Sequence, residues 1–125
     1  MTLTIVVSLP SKDLSPNARV YWRRKSEAVK LARQEAKLKA ESAMNELNWR
    51  KPPRWKSATV AIHWYARTRH KTDSDNMLAS CKAVFDGLED AGIVENDRQM
   101  TYLPPVKHVD AKNPRLEIDV TGGDE

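Results

Sequence analysis

Glycine is scarce in this chain, with 4 residues in 125, and there is one cysteine, one phenylalanine and no apolar run of the length that spans a bilayer. With so little glycine there is no Gly-rich phosphate loop of the P-loop or dinucleotide type, which argues against a nucleotide-binding enzyme built on such a loop. A lone Cys81 cannot form an internal disulfide or a cysteine metal cluster, and no base stands beside it at a recognisable spacing, so an inert buried thiol is expected. No charged-then-apolar leader opens the sequence, and no repeat or low-complexity stretch interrupts it. The expectation is a reduced, cytoplasmic protein with no membrane segment, one domain over residues 1–121 and a flexible tail over 122–125.

What the chain has in quantity is charge. Lysine and arginine number 21 against 17 acids, a net +4, with pI near 9.3 and mean hydropathy −0.66. The basic residues gather at Arg19 to Lys25, at Arg50, Lys51, Arg54 and Lys56, and at Arg67, Arg69 and Lys71. Such a distribution favours a polyanion partner, although charge runs are often only solvated surface.

Between the third basic group and an apolar-periodic segment lies Asp73-Ser74-Asp75-Asn76. Two carboxylates framed by cations fit Mg²⁺, a hard ion that takes one or two protein carboxylates and shares its remaining positions with water and phosphate. The same residues could cap a helix, because Asp before an apolar run is common there. Lys82, Asp86 and Asp97 follow, and Lys82 with Asp86 could equally be an ordinary surface pair four residues apart. His63, His70 and His108 have no ligand spacing, and Trp22, Trp49, Trp55 and Trp64 read as packing residues, with Tyr21-Trp22 in its basic surroundings as the exception.

Periodicity supplies an outline. Leu3, Ile5, Val7 and Leu9 alternate with other residues up to Pro10, which reads as a strand. Lys12 to Arg24 reads as a loop, and Ser26 to Asn48 as an amphipathic helix with Ser26 as N-cap, its alanines permitting close approach to a sheet. A strand follows over 57–68, then a helix over 75–91 with Leu78, Cys81, Phe85, Leu88 and Ala91 inward and Asp75, Lys82 and Asp86 outward, and Gly92 as its left-handed C-terminal residue. Met100 to Val109, interrupted by Pro104-Pro105, reads as an edge strand, and Arg115 to Thr121 as a strand with Leu116, Ile118 and Val120 inward. The expected fold is an α/β two-layer sandwich in β-α-β-α-β-β order, a mixed sheet with both helices on one face.

The ordered set Asp73-Ser74-Asp75-Asn76, Lys82-Ala83-Val84-Phe85-Asp86-Gly87-Leu88 and Ala91-Gly92-Ile93-Val94-Glu95-Asn96-Asp97 resembles the RusA family of Holliday-junction resolvases, mostly phage and prophage endonucleases. Leu9-Pro10 and Ser15-Pro16-Asn17-Ala18-Arg19 resemble the proline- and asparagine-containing loop after that family's first strand. The resemblance implies metal-binding, catalytic Asp73, Asp75 and Asp97, an essential lysine at Lys82, and a homodimer acting on four-way DNA junctions in recombination and repair. It implies Mg²⁺, with Mn²⁺ as an alternative ion. Two departures stand out: Lys82 follows Asp75 by seven residues where familiar members have four, and Asn96 replaces a frequent acid. On a continuous helix the longer gap keeps the face but moves the lysine roughly 4.5 Å along. Asn17, Arg19, Arg23, Arg67, Arg69 and Lys71 are the expected DNA-backbone contacts, with little direct sequence readout. The alternative from another class is a catalytically silent DNA-junction-binding protein of the same fold.

Overall fold

The computed structural model describes residues 1–16, 18–69 and 74–123, the side chains of Ser74 and Asp97 apart. Strand β1, Thr2–Val7, buries Leu3, Ile5 and Val7 and exposes the residues between them, as the alternation requires. Strand β2, Ala58–Ala66, buries Ala58, Val60 and Ile62 on one parity. Strand β5, Arg115–Gly122, does the same with Leu116, Ile118 and Val120.

β5 lies between β1 and β2 and pairs antiparallel with both, Ile118 facing Ile5 on one side and Ile62 on the other. Beyond β2, the short strands β3, Met100–Tyr102, and β4, Val106–Val109, pair with it in parallel. The prolines at 104 and 105 divide them, and an edge is where missing amide donors cost least. Among the described residues the sheet is therefore mixed and five-stranded.

Helix α1, Trp22–Glu46, sets Ala36, Ala40 and Met44 against the core. It starts four residues before the expected Ser26, and Tyr21 occupies the N-cap without a side-chain hydrogen bond. The extension takes in Trp22, Arg23 and Arg24 of the segment read as a loop, although cations at a helix N-terminus oppose the dipole. Tertiary structure overrides that local preference: Arg24 Nε donates to Asp13 Oδ2 at 2.8 Å, fastening the first turn to a 3₁₀ turn at Lys12–Leu14.

The expected helix over 75–91 is two helices, α2, Ser74–Ser80, and α3, Lys82–Asp90. Ser80 Oγ donates back to the Asn76 carbonyl at 2.7 Å, a bond that bends helices, and the Cys81 amide bonds Leu78 O at 3.0 Å in a tightened turn. Among the described residues the order is thus β-α-β-α-α-β-β-β, with three α-helices where two were expected. α1 and α3 touch closely at Gly87, where a Cβ would come 2.7 Å from Ala36 Cβ. Gly92 ends the helical region at φ 84° as predicted, and Ile93 and Val94 re-enter the core.

The connection after α1 is anchored rather than loose: Arg54 and Trp55 amides bond the Gly92 and Ile93 carbonyls, each at 2.9 Å. Trp55 is buried, edge-on to Trp49 at 6.0 Å, and covered by Gly122. Gly122 belongs to β5, and the Gly123 amide donates to Ser57 O at 2.8 Å, so the sheet reaches into the segment expected as a tail. Residues 124 and 125 lie outside the described residues.

Candidate active site

α2 opens with Asp75 exposed in its first turn. An acid there complements the amides of a helix start. Asp73 lies outside the described residues. Met77 is buried and Leu78 half-buried, which ties the turn after Asp75 to the core. After the break at Cys81, Lys82 opens α3. Lys82 is exposed, and its Nζ donates to Asp86 Oδ1 at 2.6 Å, so the pair four residues apart is formed. Cys81 at the break is fully buried, and burial pushes its thiol up to about 12, the inert state expected.

Asp97 begins the second 3₁₀ turn, Asp97–Gln99. That turn is set by the residue before it: Asn96 Oδ1 accepts the Arg98 amide at 2.9 Å, and its carbonyl accepts the Gln99 amide at 3.0 Å. Asn96 therefore has a local structural task where an acid was expected. The turn sends Arg98 into a cavity of about 510 Å³ lined by Leu78, Ala79, Lys82, Phe85, Arg98 and Tyr102. The elements that carry Asp75, Lys82 and Asp97 thus share one cleft with β3. Among the described residues no group of three or more His, Cys, Asp or Glu is spaced to hold a metal, Asp73 and the Asp97 side chain standing outside them.

On the other side of Lys82, a cavity of about 280 Å³ is lined by residues that include Pro16, Lys25, Ala79, Lys82 and Asp86. It brings the segment after β1 and the basic start of α1 beside the cleft. Arg19 and Arg23 are exposed nearby in sequence, with the Arg23 guanidinium 5.2 Å from the Trp22 ring centre. Arg67 and Arg69 are exposed just beyond β2. Asn17 and Lys71 lie outside the described residues. Sequence reasoning does not place Arg98 or Lys25 in the site; the available signal for Arg98 is a cation directly after Asp97.

Two other regions are less suited to a polyanion. A cavity of about 630 Å³ between β1 and α1 has Asp13, Glu27 and Glu35 in its lining, with Arg24 tied to Asp13. The sheet face opposite the helices carries a row in which Arg115 lies 3.9 Å from the Tyr65 ring, Tyr65 stacks on His108 at 4.5 Å, and His63 Nδ1 shares a 3.0 Å hydrogen bond with His108 Nε2. Around this row stand Asp110, Glu117 and Asp119, with Arg115 held by the first two. His63 and His108 hydrogen-bond each other; His70 lies outside the described residues.

The family Endodeoxyribonuclease RusA matches residues 12–121, nearly the whole chain and every element that lines the cleft. The chain belongs to the RusA endodeoxyribonuclease family. An uncharacterized protein of Xylella fastidiosa (strain Temecula1 / ATCC 700964) is 38% identical over 122 residues, which cover 95% of this chain and 76% of that protein. Among solved structures, the periplasmic domain of Helicobacter pylori MotB aligns over 95% of this chain and 81% of its own at 18% identity and a TM-score of 0.39, a likeness too slight to carry an argument. RusA membership supports a nuclease, and no helix among the described residues is long and apolar enough to cross a membrane.

Proposed function

We propose that this protein is a Mg²⁺-dependent, structure-selective endodeoxyribonuclease that resolves four-way DNA junctions by paired nicks in recombination and repair. The observation that carries the reading is the convergence of α2, α3, the second 3₁₀ turn and β3 on a cleft with Lys82 and Arg98 at its rim, in a RusA-family chain. Hard carboxylate oxygen of the kind the exposed residue Asp75 offers at the head of α2 suits Mg²⁺. Asp73, Asp75 and Asp97 would hold one or two such ions, whose chemistry is to polarise the scissile phosphate and lower the pKa of a bound water. Mn²⁺ would serve in the same place.

Lys82 stabilises the charge that develops on the phosphate and the leaving oxygen. Arg67, Arg69, Lys71, Asn17, Arg19 and Arg23 grip the backbone and set the register of the strands without reading bases. A homodimer matches the two-fold symmetry of the junction, and the helix-free sheet face, with Tyr65 and His108 half-buried on it, is surface available to a second copy in the cytoplasm. The Lys82–Asp86 ion pair favours a second reading, a catalytically silent protein that binds junctions and does not cut. One assay separates them: a synthetic four-way junction with Mg²⁺, beside a linear duplex and an EDTA control. Cutting of the junction alone, abolished by EDTA, is expected; binding without cutting would establish the silent reading, and equal cutting of duplex would remove the junction assignment.

A further inference from the structure

Cations on an open surface suffice to hold phosphodiesters, and the cleft beside Lys82 contains more than that. Beneath Lys82 and Arg98 lie Leu78, Ala79, Phe85 and Tyr102, four apolar or aromatic residues around about 510 Å³. The recess is shallow and open to solvent, so a group can enter it directly from a bound strand. Its wall is braced: Phe85 is buried and its ring lies 4.5 Å from that of Tyr102, at 32°, while the Tyr102 hydroxyl donates to Met100 Sδ at 3.8 Å. Its rim is braced too, because Asn96 fixes the main chain of Arg98.

An apolar, aromatic-walled recess with Arg98 at its mouth, beside Lys82 in its ion pair with Asp86, suits a flat ring tethered to negative charge. A bare phosphate would leave the floor unused, and an aliphatic acid would leave the aromatic wall unused. We infer that the recess holds a single unstacked nucleotide of the bound DNA strand, its base against Tyr102 and Leu78 and its flanking phosphates on Arg98 and Lys82. This rests on the nuclease reading above and deepens it, adding base selection to backbone grip. Unstacking is cheapest where pairing is already interrupted, as at a branch point, and base–aromatic stacking recovers much of its cost. The position of the nick then depends on which base enters.

The test is a base-deletion scan. The complete wild-type chain is titrated, in EDTA to prevent cutting, against labelled four-way junctions that lack one base at a time around the branch point, with binding read by fluorescence anisotropy. One position is expected to weaken binding by roughly fivefold to a hundredfold, the range set by stacking on a single aromatic ring. That loss should persist in Tyr102→Phe and disappear in Tyr102→Leu. Ala79→Trp, which fills the mouth from its position on α2 and leaves the Phe85–Tyr102 contact alone, should also abolish it, and keeps the test decisive if Tyr102→Leu does not fold. A flat scan, or a position-specific loss that survives in Ala79→Trp, overturns the inference while tight binding of the intact junction leaves the nuclease reading standing. No binding of the intact junction overturns both.

Discussion

Single side chains define the proposed chemistry, and each has a separable test. Asp75 stands exposed at the head of α2, so Asp75→Asn removes charge and preserves shape. Cleavage should fall by about two orders of magnitude or more, while junction binding holds or tightens as repulsion with phosphate is relieved. Single-turnover cutting near the wild-type rate would take Asp75 out of the site. Lys82 is the harder case, because its Nζ is engaged with Asp86 at 2.6 Å. If that pair were the whole of its role, Lys82→Ala would cost about 0.3–0.5 kcal/mol of stability and nothing in rate. The expectation is a large loss in turnover with little change in affinity, read by comparing single-turnover rate with Kd. Cys81 gives a residue-level check of the core: with its thiol pushed up to about 12 by burial, it should resist thiol reagents in the folded protein and react fully in denaturant. Rapid labelling under native conditions would mean that the α2–α3 break opens.

The pairing of α1 with α3 turns on one glycine and one ion pair. A Cβ on Gly87 would meet the Arg33 carbonyl and stand 2.7 Å from Ala36 Cβ. Gly87→Ala should therefore cost about 1–3 kcal/mol through forced separation of the helices, seen as a lower urea midpoint at unchanged slope. A variant as stable as wild type would show that the helices can part freely. Across the same contact, Arg33 donates to Asp90 through Nε at 2.5 Å and Nη2 at 2.8 Å. The hydrogen bond from Arg33 holds the Asp90 carboxyl below its ordinary range. A depressed folded-state pKa contributes stability above the unfolded value, near 3.9, and loses it as pH falls through the folded value. The side chains are 47% and 32% exposed, so solvent screening limits the contribution to about 1 kcal/mol or less. Urea midpoints of wild type and Asp90→Asn should differ at pH 7 and converge on acidification below about pH 4; a constant difference across that range would assign the effect of the substitution to packing.

Assembly and substrate choice belong to the molecule as a whole. Basic residues border the cleft and the end of β2, whereas the sheet face opposite the helices carries Asp110, Glu117 and Asp119 around Arg115, so the proposed DNA contacts and the proposed second subunit would use different surfaces. Junction affinity should fall steeply with salt, because each neutralised phosphate releases counterion. Replacing Arg67 and Arg69 together with Ala should reduce the slope of log K against log salt by roughly two and weaken junction and duplex alike, since backbone contacts carry no base information. Light scattering and a nicking assay on a cruciform plasmid address the dimer. A monomer that cuts both strands within one binding event would defeat it.

Much of the architecture is legible in the amino-acid sequence by itself. The alternation in β1, β2 and β5, the inward stripe of Ala36, Ala40 and Met44, the αL residue at Gly92 and the proline-split edge are local consequences of side-chain period and backbone chemistry, and the order of motifs points to the RusA family. The start of α1 is not legible, because its first turn gains its partner from Asp13 of a preceding turn and not from its own sequence. Nor is the division of α2 from α3, since the Ser80 back-bond competes with the helix only once Cys81 and Met77 are packed. Periodicity treats residues 75–91 as one rod. Strand order, with the last strand at the centre, and the meeting of Arg98 with Leu78, Lys82 and Tyr102 depend on contacts between residues far apart in the chain. Local preference decides which segments are helix or strand; the cleft is decided by where burial forces those segments to meet.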